Sequence, residues 1–172
     1  SEAPLARRIN AEAPQVLAEC MKKIGGWLVH YSTDYVFDGG GSRPWCEVDP
    51  TSPLSVYGRS KLEGERAIQT SGCKHLGFRT SWVYAARGGN KTMLRLAGER
   101  EELKVVDDQV GAPTSAELIA DVTAHALRAV AKKPELGGLY HLAASGYVSW
   151  HGYASFVVEQ AARRGEELKV RE

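Results

Sequence analysis

Cysteine is scarce, and the few present do not pair. The 172 residues hold three, Cys20, Cys46 and Cys73. That odd number, with no C-x-x-C spacing, argues against a disulfide framework or zinc knuckle and for a reducing, cytoplasmic compartment. Five histidines, His30, His75, His125, His141 and His151, are scattered with no H-E-x-x-H pattern, so no metal site is expected. An excess of one charge is also missing: 22 Lys and Arg face 21 Asp and Glu, a net charge of +1. Nucleic-acid modules and membrane-surface binders need a basic excess, so neither partner is expected. No apolar run approaches the roughly 20 residues of a membrane span, and no basic-then-apolar leader opens the chain. No G-x-G-x-x-G follows a strand, so the phosphate-binding fingerprint of a dinucleotide fold is absent. Gly39-Gly40-Gly41 is a poor substitute, because it lies in a polar loop with no helix directly after it. What is left is ordinary for one soluble domain: 43% hydrophobic and 25% charged residues.

The elements alternate. A helical pattern runs from about Asn10 to Ile24, with Val16, Leu17, Cys20, Met21 and Ile24 on one face and Gly25-Gly26 as its stop. Pro14 is tolerable there only near the first turn. Trp27 to Ser32 reads as a strand, and residues 38–53 as a long loop. Ser55 is the expected N-cap of a helix from Val56 to about Thr70, stopped by Gly72. Strands are expected at His75 to Trp82 or Tyr84, at Leu103 to Val106 and at Leu139 to Leu142. Gly88-Gly89-Asn90 reads as a loop and Thr92 to Arg100 as a helix; Thr114 or Ser115 caps a helix to about Val130, and Ser149 caps one to about Arg164. This order predicts an α/β fold: part of a doubly wound, mostly parallel sheet with crossover helices.

Tyr57-Gly58-Arg59-Ser60-Lys61 is the strongest chemical signal. Positions four apart share a helix face one turn apart. A phenol is a poor acid–base catalyst at neutral pH, but a nearby ammonium favours the phenolate, and the pair can then move a proton to a substrate oxygen. The lysine also has donors for ribose hydroxyls. The plainer alternative is an exposed helical pair. Ser32-Thr33-Asp34-Tyr35 follows an apolar strand, at the end where open α/β sheets bind ligands. A hydroxyl there can polarise a carbonyl; the alternative is a turn that these residues cap. For Trp45, Trp150 and Tyr153, packing is favoured over sugar stacking. For Arg95 and Arg100, a solvated helix face is favoured over pyrophosphate binding. Asp107, Asp108 and Gln109 precede a tight turn, with no role beyond shaping it.

Several segments together carry a family likeness. They are the strand ending in Ser32-Thr33-Asp34-Tyr35-Val36-Phe37-Asp38-Gly39, then Glu47 and Pro50, then Pro53-Leu54-x-x-Tyr57-Gly58-x-Ser60-Lys61-Leu62-x-Gly64-Glu65. Arg79-Thr80-Ser81-Trp82-Val83-Tyr84, Asp108-Gln109-x-Gly111-x-Pro113-Thr114 and Leu139-Tyr140-His141-Leu142 follow. The chain resembles the dTDP-4-dehydrorhamnose reductase family of the extended short-chain dehydrogenase/reductase superfamily. The resemblance implies reduction of the 4-keto group of a nucleotide sugar, dTDP-4-dehydro-L-rhamnose, with NADPH or NADH as hydride source. It makes Tyr57 the proton donor, Lys61 its partner and the holder of the nicotinamide ribose, and Thr33 the hydroxyl of the trio. It puts Asp34 and Trp82 beside the substrate and Tyr31 at the cofactor. Residues 1–82 would be the C-terminal part of a dinucleotide-binding domain. Residues 83–172 would be a substrate-binding region interleaved with returning elements of that fold. The family's opening strand–glycine loop–helix is not among these residues, so a chain that grips the dinucleotide weakly by itself, with an exposed sheet edge favouring a homodimer, is expected. Two other readings share much of the pattern: another nucleotide-sugar epimerase or dehydratase, and a non-catalytic relative such as a methionine adenosyltransferase regulatory subunit.

Overall fold

The computed structural model describes residues 3–85 and 90–170, so the loop expected at Gly88-Gly89 lies outside the described residues. The described chain divides into two compact units, one of residues 1–80 and 122–142, the other of residues 81–121 and 143–172.

The first unit is built on three parallel strands in the order β1 (Trp27–Thr33), β2 (Lys74–Thr80), β6 (Gly138–His141). Trp27 pairs with Lys74, Thr33 with Thr80, and Arg79 with His141. Alternation along the strands gives the sheet two distinct faces. One face carries the row Tyr31, Phe78, Tyr140, whose rings follow at 6.2 and 6.5 Å; the Tyr31 hydroxyl meets Thr123 of α5 (Ala116–Lys132) at 2.8 Å. The other face carries Ser32, Arg79 and His141 and packs under α3 (Val56–Ser71). Helices on both faces of a parallel sheet are the doubly wound α/β arrangement expected from the element order.

α3 starts and stops where its caps dictate. Ser55 Oγ accepts the Gly58 N–H at 2.9 Å, and Gly72 takes the left-handed conformation at φ +72°. Ile68 of α3 closes a cluster with Ala18 and Cys73, joined by Met21 and Leu28. Fully burying a side chain such as Ile68 contributes about 1.5–3 kcal/mol.

The first helix departs from the expected Asn10 start. It begins at Ala3, as α1 (Ala3–Arg7), widens into a π-turn (Arg8–Glu12) and continues as α2 (Ala13–Ile24). Pro14 therefore sits inside a long helix rather than in its first turn. A proline has no N–H for the carbonyl four residues back, here that of Asn10. The wider turn next to it is the known relief of such a fault, and the Asn10 carbonyl faces Gly64 of α3. A Cβ on Gly64 would lie 2.1 Å from that oxygen. Alanine gains about 1 kcal/mol of helix propensity over glycine, but the obstacle is backbone and cannot swing away. Gly64→Ala is expected to cost about 2 kcal/mol net, read as a lower urea midpoint; an unchanged or raised midpoint would show that the two helices can move apart freely.

In the second unit, β3 (Val83–Tyr84) pairs parallel with β5 (Thr114–Ser115), and β4 (Val110–Gly111) pairs antiparallel with β7 (Val148–Ser149). α4 (Asn90–Glu99) and α6 (Trp150–Arg163) complete it. The strand expected at Leu103 to Val106 does not form. Leu103 and Val105 instead line a cavity of about 350 Å³ with Met93 and Leu96 of one helix and Ala154 and Val158 of another. Trp82 is the one non-glycine described residue with left-handed backbone, at φ +41°; such a conformation costs on the order of 1–3 kcal/mol. No helix among the described residues is long and apolar enough to cross a membrane.

Candidate active site

The end of β1 and the first turns of α3 are held together by backbone approach. A Cβ on Gly58 would lie 2.2 Å from the Tyr35 carbonyl and 3.0 Å from Pro53, so only glycine lets α3 come this close at the residue after Tyr57. Tyr57 meets Tyr35 edge to face, with centroids 6.0 Å apart, and is 48% exposed. One turn further on, Lys61 Nζ donates to the Tyr31 carbonyl at 2.5 Å. Burial pulls the Lys61 ammonium below the usual lysine range, against the opposing charge of Glu65. Tyr31, Tyr57 and Lys61 are thus gathered at one strand end.

Thr33 is 6% exposed and its hydroxyl is engaged: it accepts the Tyr35 N–H at 3.2 Å and donates to Asp34 Oδ1 at 3.1 Å. It is also the N-cap of the short 3-10 turn Asp34–Val36. The turn-and-cap arrangement that was the plainer reading of these residues is therefore present, and Thr33 and Asp34 share it. Trp82 lies in the second unit.

Several residues around this site carried no role in the sequence reading. Asn10 Nδ2 donates to Ser60 Oγ at 3.0 Å, and Ser60 Oγ donates to the Tyr57 carbonyl at 2.9 Å. The early helix thereby holds the turn bearing Tyr57, through a contact between residues 50 positions apart that no local pattern signals. Glu65 and Arg79, quoted only as parts of motifs, form a buried ion pair, with Arg79 Nη2 to Glu65 Oε2 at 2.7 Å and Nε to Oε1 at 3.0 Å. Their side chains are 2% and 5% exposed. Arg79 also lies 5.1 Å over the Phe37 ring and donates to the Glu47 carbonyl. The Glu47 carboxylate accepts the His141 N–H at 2.8 Å, which holds it below the usual carboxylate range. Arg43 grips Asp49 with two bonds of 2.7 and 2.9 Å and holds its carboxyl down to about 2. The Glu47 contacts fasten the long loop to the sheet, and the Arg43–Asp49 pair closes the loop on itself. Trp45 stacks on Phe37 at 4.7 Å, which is packing, as favoured. Arg95 pairs with Glu99 on an exposed helix face, also as favoured.

His30 lies two residues before Ser32 on the same face of β1. Its Nε2 is buried with no partner among the described residues. Burial, helped by Lys61, pushes its pKa down to about 4; Glu65 opposes this and His75 adds a small push the same way. The folded chain keeps it neutral while the unfolded chain protonates it near 6.5, so its contribution is complete above pH 6.5 and fades as pH falls toward 4. Over that window the urea midpoint should drop by the equivalent of roughly 3 kcal/mol, and His30→Leu should flatten the curve. A wild-type curve that is already flat between pH 6.5 and 4 would contradict this.

A family model described as the RmlD substrate binding domain matches residues 1–171. The chain is 56% identical over 172 residues to a dTDP-4-dehydrorhamnose reductase of Shigella flexneri, covering 99% of this chain and 58% of that one. Among solved structures, a dTDP-4-dehydrorhamnose reductase of Clostridium acetobutylicum superposes with a TM-score of 0.84 at 38% identity, covering 99% of this chain and 58% of the other. One from Bacillus anthracis, in complex with NADP, superposes with a TM-score of 0.83 at 34% identity, covering 98% and 58%. A doubly wound fold with a tyrosine–lysine helix at a strand end defines the class, and the chain belongs to the RmlD substrate binding domain family. It spans 58% of the length of these relatives.

Proposed function

We propose that this chain is the substrate-binding and proton-donating portion of an oxidoreductase that reduces the 4-keto group of dTDP-4-dehydro-L-rhamnose to give dTDP-L-rhamnose. The observation that carries the reading is the gathering of Tyr31, Tyr57 and Lys61 at one strand end, with Gly58 against the Tyr35 carbonyl. The relatives' names support the substrate class and a reductase over a regulatory relative.

A nicotinamide dinucleotide fits the residues present. An ammonium has three donors; one of Lys61's goes to Tyr31, leaving two for ribose hydroxyls. Tyr31 contributes at the cofactor through its carbonyl, which fixes that ammonium, while its ring, 42% exposed, lies on the sheet face with Phe78. NADPH or NADH supplies the hydride when bound. Tyr57 donates the proton that the C4 oxygen needs as the alcohol forms, and the Lys61 charge favours the phenolate left behind. The Thr33 hydroxyl turns its proton from Asp34 to the C4 oxygen and polarises the carbonyl, while the Asp34 carboxylate, released from Thr33, accepts a sugar hydroxyl. Trp82 supplies an apolar face to the sugar ring. Free cysteines, with Cys20 and Cys46 exposed, fit a cytoplasmic setting.

The test joins this chain to the portion of a relative that it does not cover, and supplies the 4-keto nucleotide sugar with NADPH or NADH. Oxidation of the dinucleotide with matching loss of the keto sugar is expected. A folded fusion that oxidises neither dinucleotide would overturn the reading.

A further inference from the structure

We propose that Trp150 is a positioning residue for sugar recognition: together with Gly111 it holds the Trp82 indole in place, and residues 106–111 are the frame that seats them. The inference rests on the reading of Trp82 as a sugar-facing group.

The two indoles stack with centroids 3.9 Å apart and planes 17° from parallel. Trp82 is strained at φ +41°, and a strained non-glycine residue persists only where its surroundings over-determine it. A Cβ on Gly111 would lie 2.4 Å from Trp82 Cε2 and 2.7 Å from Nε1, so the backbone of β4 presses directly on the indole. The Trp82 carbonyl accepts the Thr114 N–H at 3.2 Å. Trp150 is fixed in turn by the segment that otherwise had no role: its N–H donates to the Gln109 carbonyl at 3.1 Å, and the next N–H, of His151, to the Val106 carbonyl at 3.0 Å. Val110 pairs with Ser149 and Gly111 with Val148. Ser149 Oγ donates to the Asp107 carboxylate and accepts the Gly152 N–H, capping α6 at the residue before Trp150. Asp107, Gln109 and Gly111 therefore set where α6 begins, and with it where Trp150 meets Trp82. Both indoles are half-buried, so part of the stacked aromatic pair remains accessible to an apolar surface such as the C–H face of a hexose.

Ordinary packing predicts a different pattern of defects from positioning. In the fusion completed to the relatives' length, Trp150→Leu and Gly111→Ala should each raise KM for the 4-keto nucleotide sugar by about tenfold or more. KM for the dinucleotide should stay unchanged and kcat within about threefold, while Trp150→Phe should recover most of the loss. The exciton couplet that stacked indoles give in circular dichroism should vanish in Trp150→Leu. A lost couplet with an unchanged sugar KM would overturn the inference, as would equal losses toward both substrates. Should the wild-type fusion not reduce the sugar yet bind it, with tryptophan quenching that Trp150→Leu abolishes, the reductase reading falls and this inference stands. If the wild type neither reduces nor binds it, both fall.

Discussion

Tyr57→Phe should lower kcat/KM for the 4-keto nucleotide sugar by about 10²–10⁴-fold, the usual loss when one positioned general acid is removed. The substitution removes one oxygen and little else. Tyr57 is 48% exposed and its ring meets Tyr35 edge to face, a contact phenylalanine keeps. Stability should move by no more than about 0.5 kcal/mol, so a slow variant cannot be dismissed as an unfolded one. The sugar KM should change far less than kcat, because the phenol is asked to act as the alcohol forms. Steady-state rates beside a urea curve decide it. Near-wild-type turnover would mean that the proton comes from elsewhere.

Breaking the buried pair should have the largest effect on stability. Glu65 and Arg79 are joined by two short bonds, with side chains 2% and 5% exposed. Removing one member leaves a buried charge unpaired, which costs about 3–5 kcal/mol. Glu65→Ala is therefore expected to shift the urea midpoint by that much, enough to unfold a marginal domain. The double variant Glu65→Leu/Arg79→Met should recover a large part of the loss, since no charge is then stranded. It should not recover everything, because Arg79 also holds the Glu47 carbonyl and covers Phe37. A single variant within about 1 kcal/mol of wild type would show that water reaches the guanidinium.

What could be read along the chain was what local chemistry decides. Ser55 and Ser149 cap their helices, and Gly25 and Gly72 end theirs in left-handed turns, as expected from residue type alone. β1, β2 and β6 fall where apolar, strand-forming runs lie. The structure departs from local expectation where a distant partner decides. Leu103 to Val106 has strand character but finds no edge to join, while the two-residue strands at Val110 and Val148 exist only because each meets the other. Asn10 reads as a helix start because Pro14 favours a first turn; the π-turn before it relieves that demand. The candidate site was legible in its chemistry, through Tyr57, Lys61 and the Thr33 turn, but not in its support. Nothing local ties Glu65 to Arg79 or Asn10 to Ser60, which are 14 and 50 residues apart. Nor could the alternation of residue types reveal that Gly58 and Gly64 are the points where the Tyr35 and Asn10 carbonyls press on α3.

Whether Tyr57 and Lys61 act as one proton-donating unit is measured most directly by a double-mutant cycle. kcat/KM is determined for the wild-type fusion, Tyr57→Phe, Lys61→Met and the double variant. Groups that act through one another lose most of their effect with the first removal. The double variant should accordingly be no more than about threefold slower than the slower single one. Losses that multiply, each variant slowing the other's background by its full factor, would contradict the account.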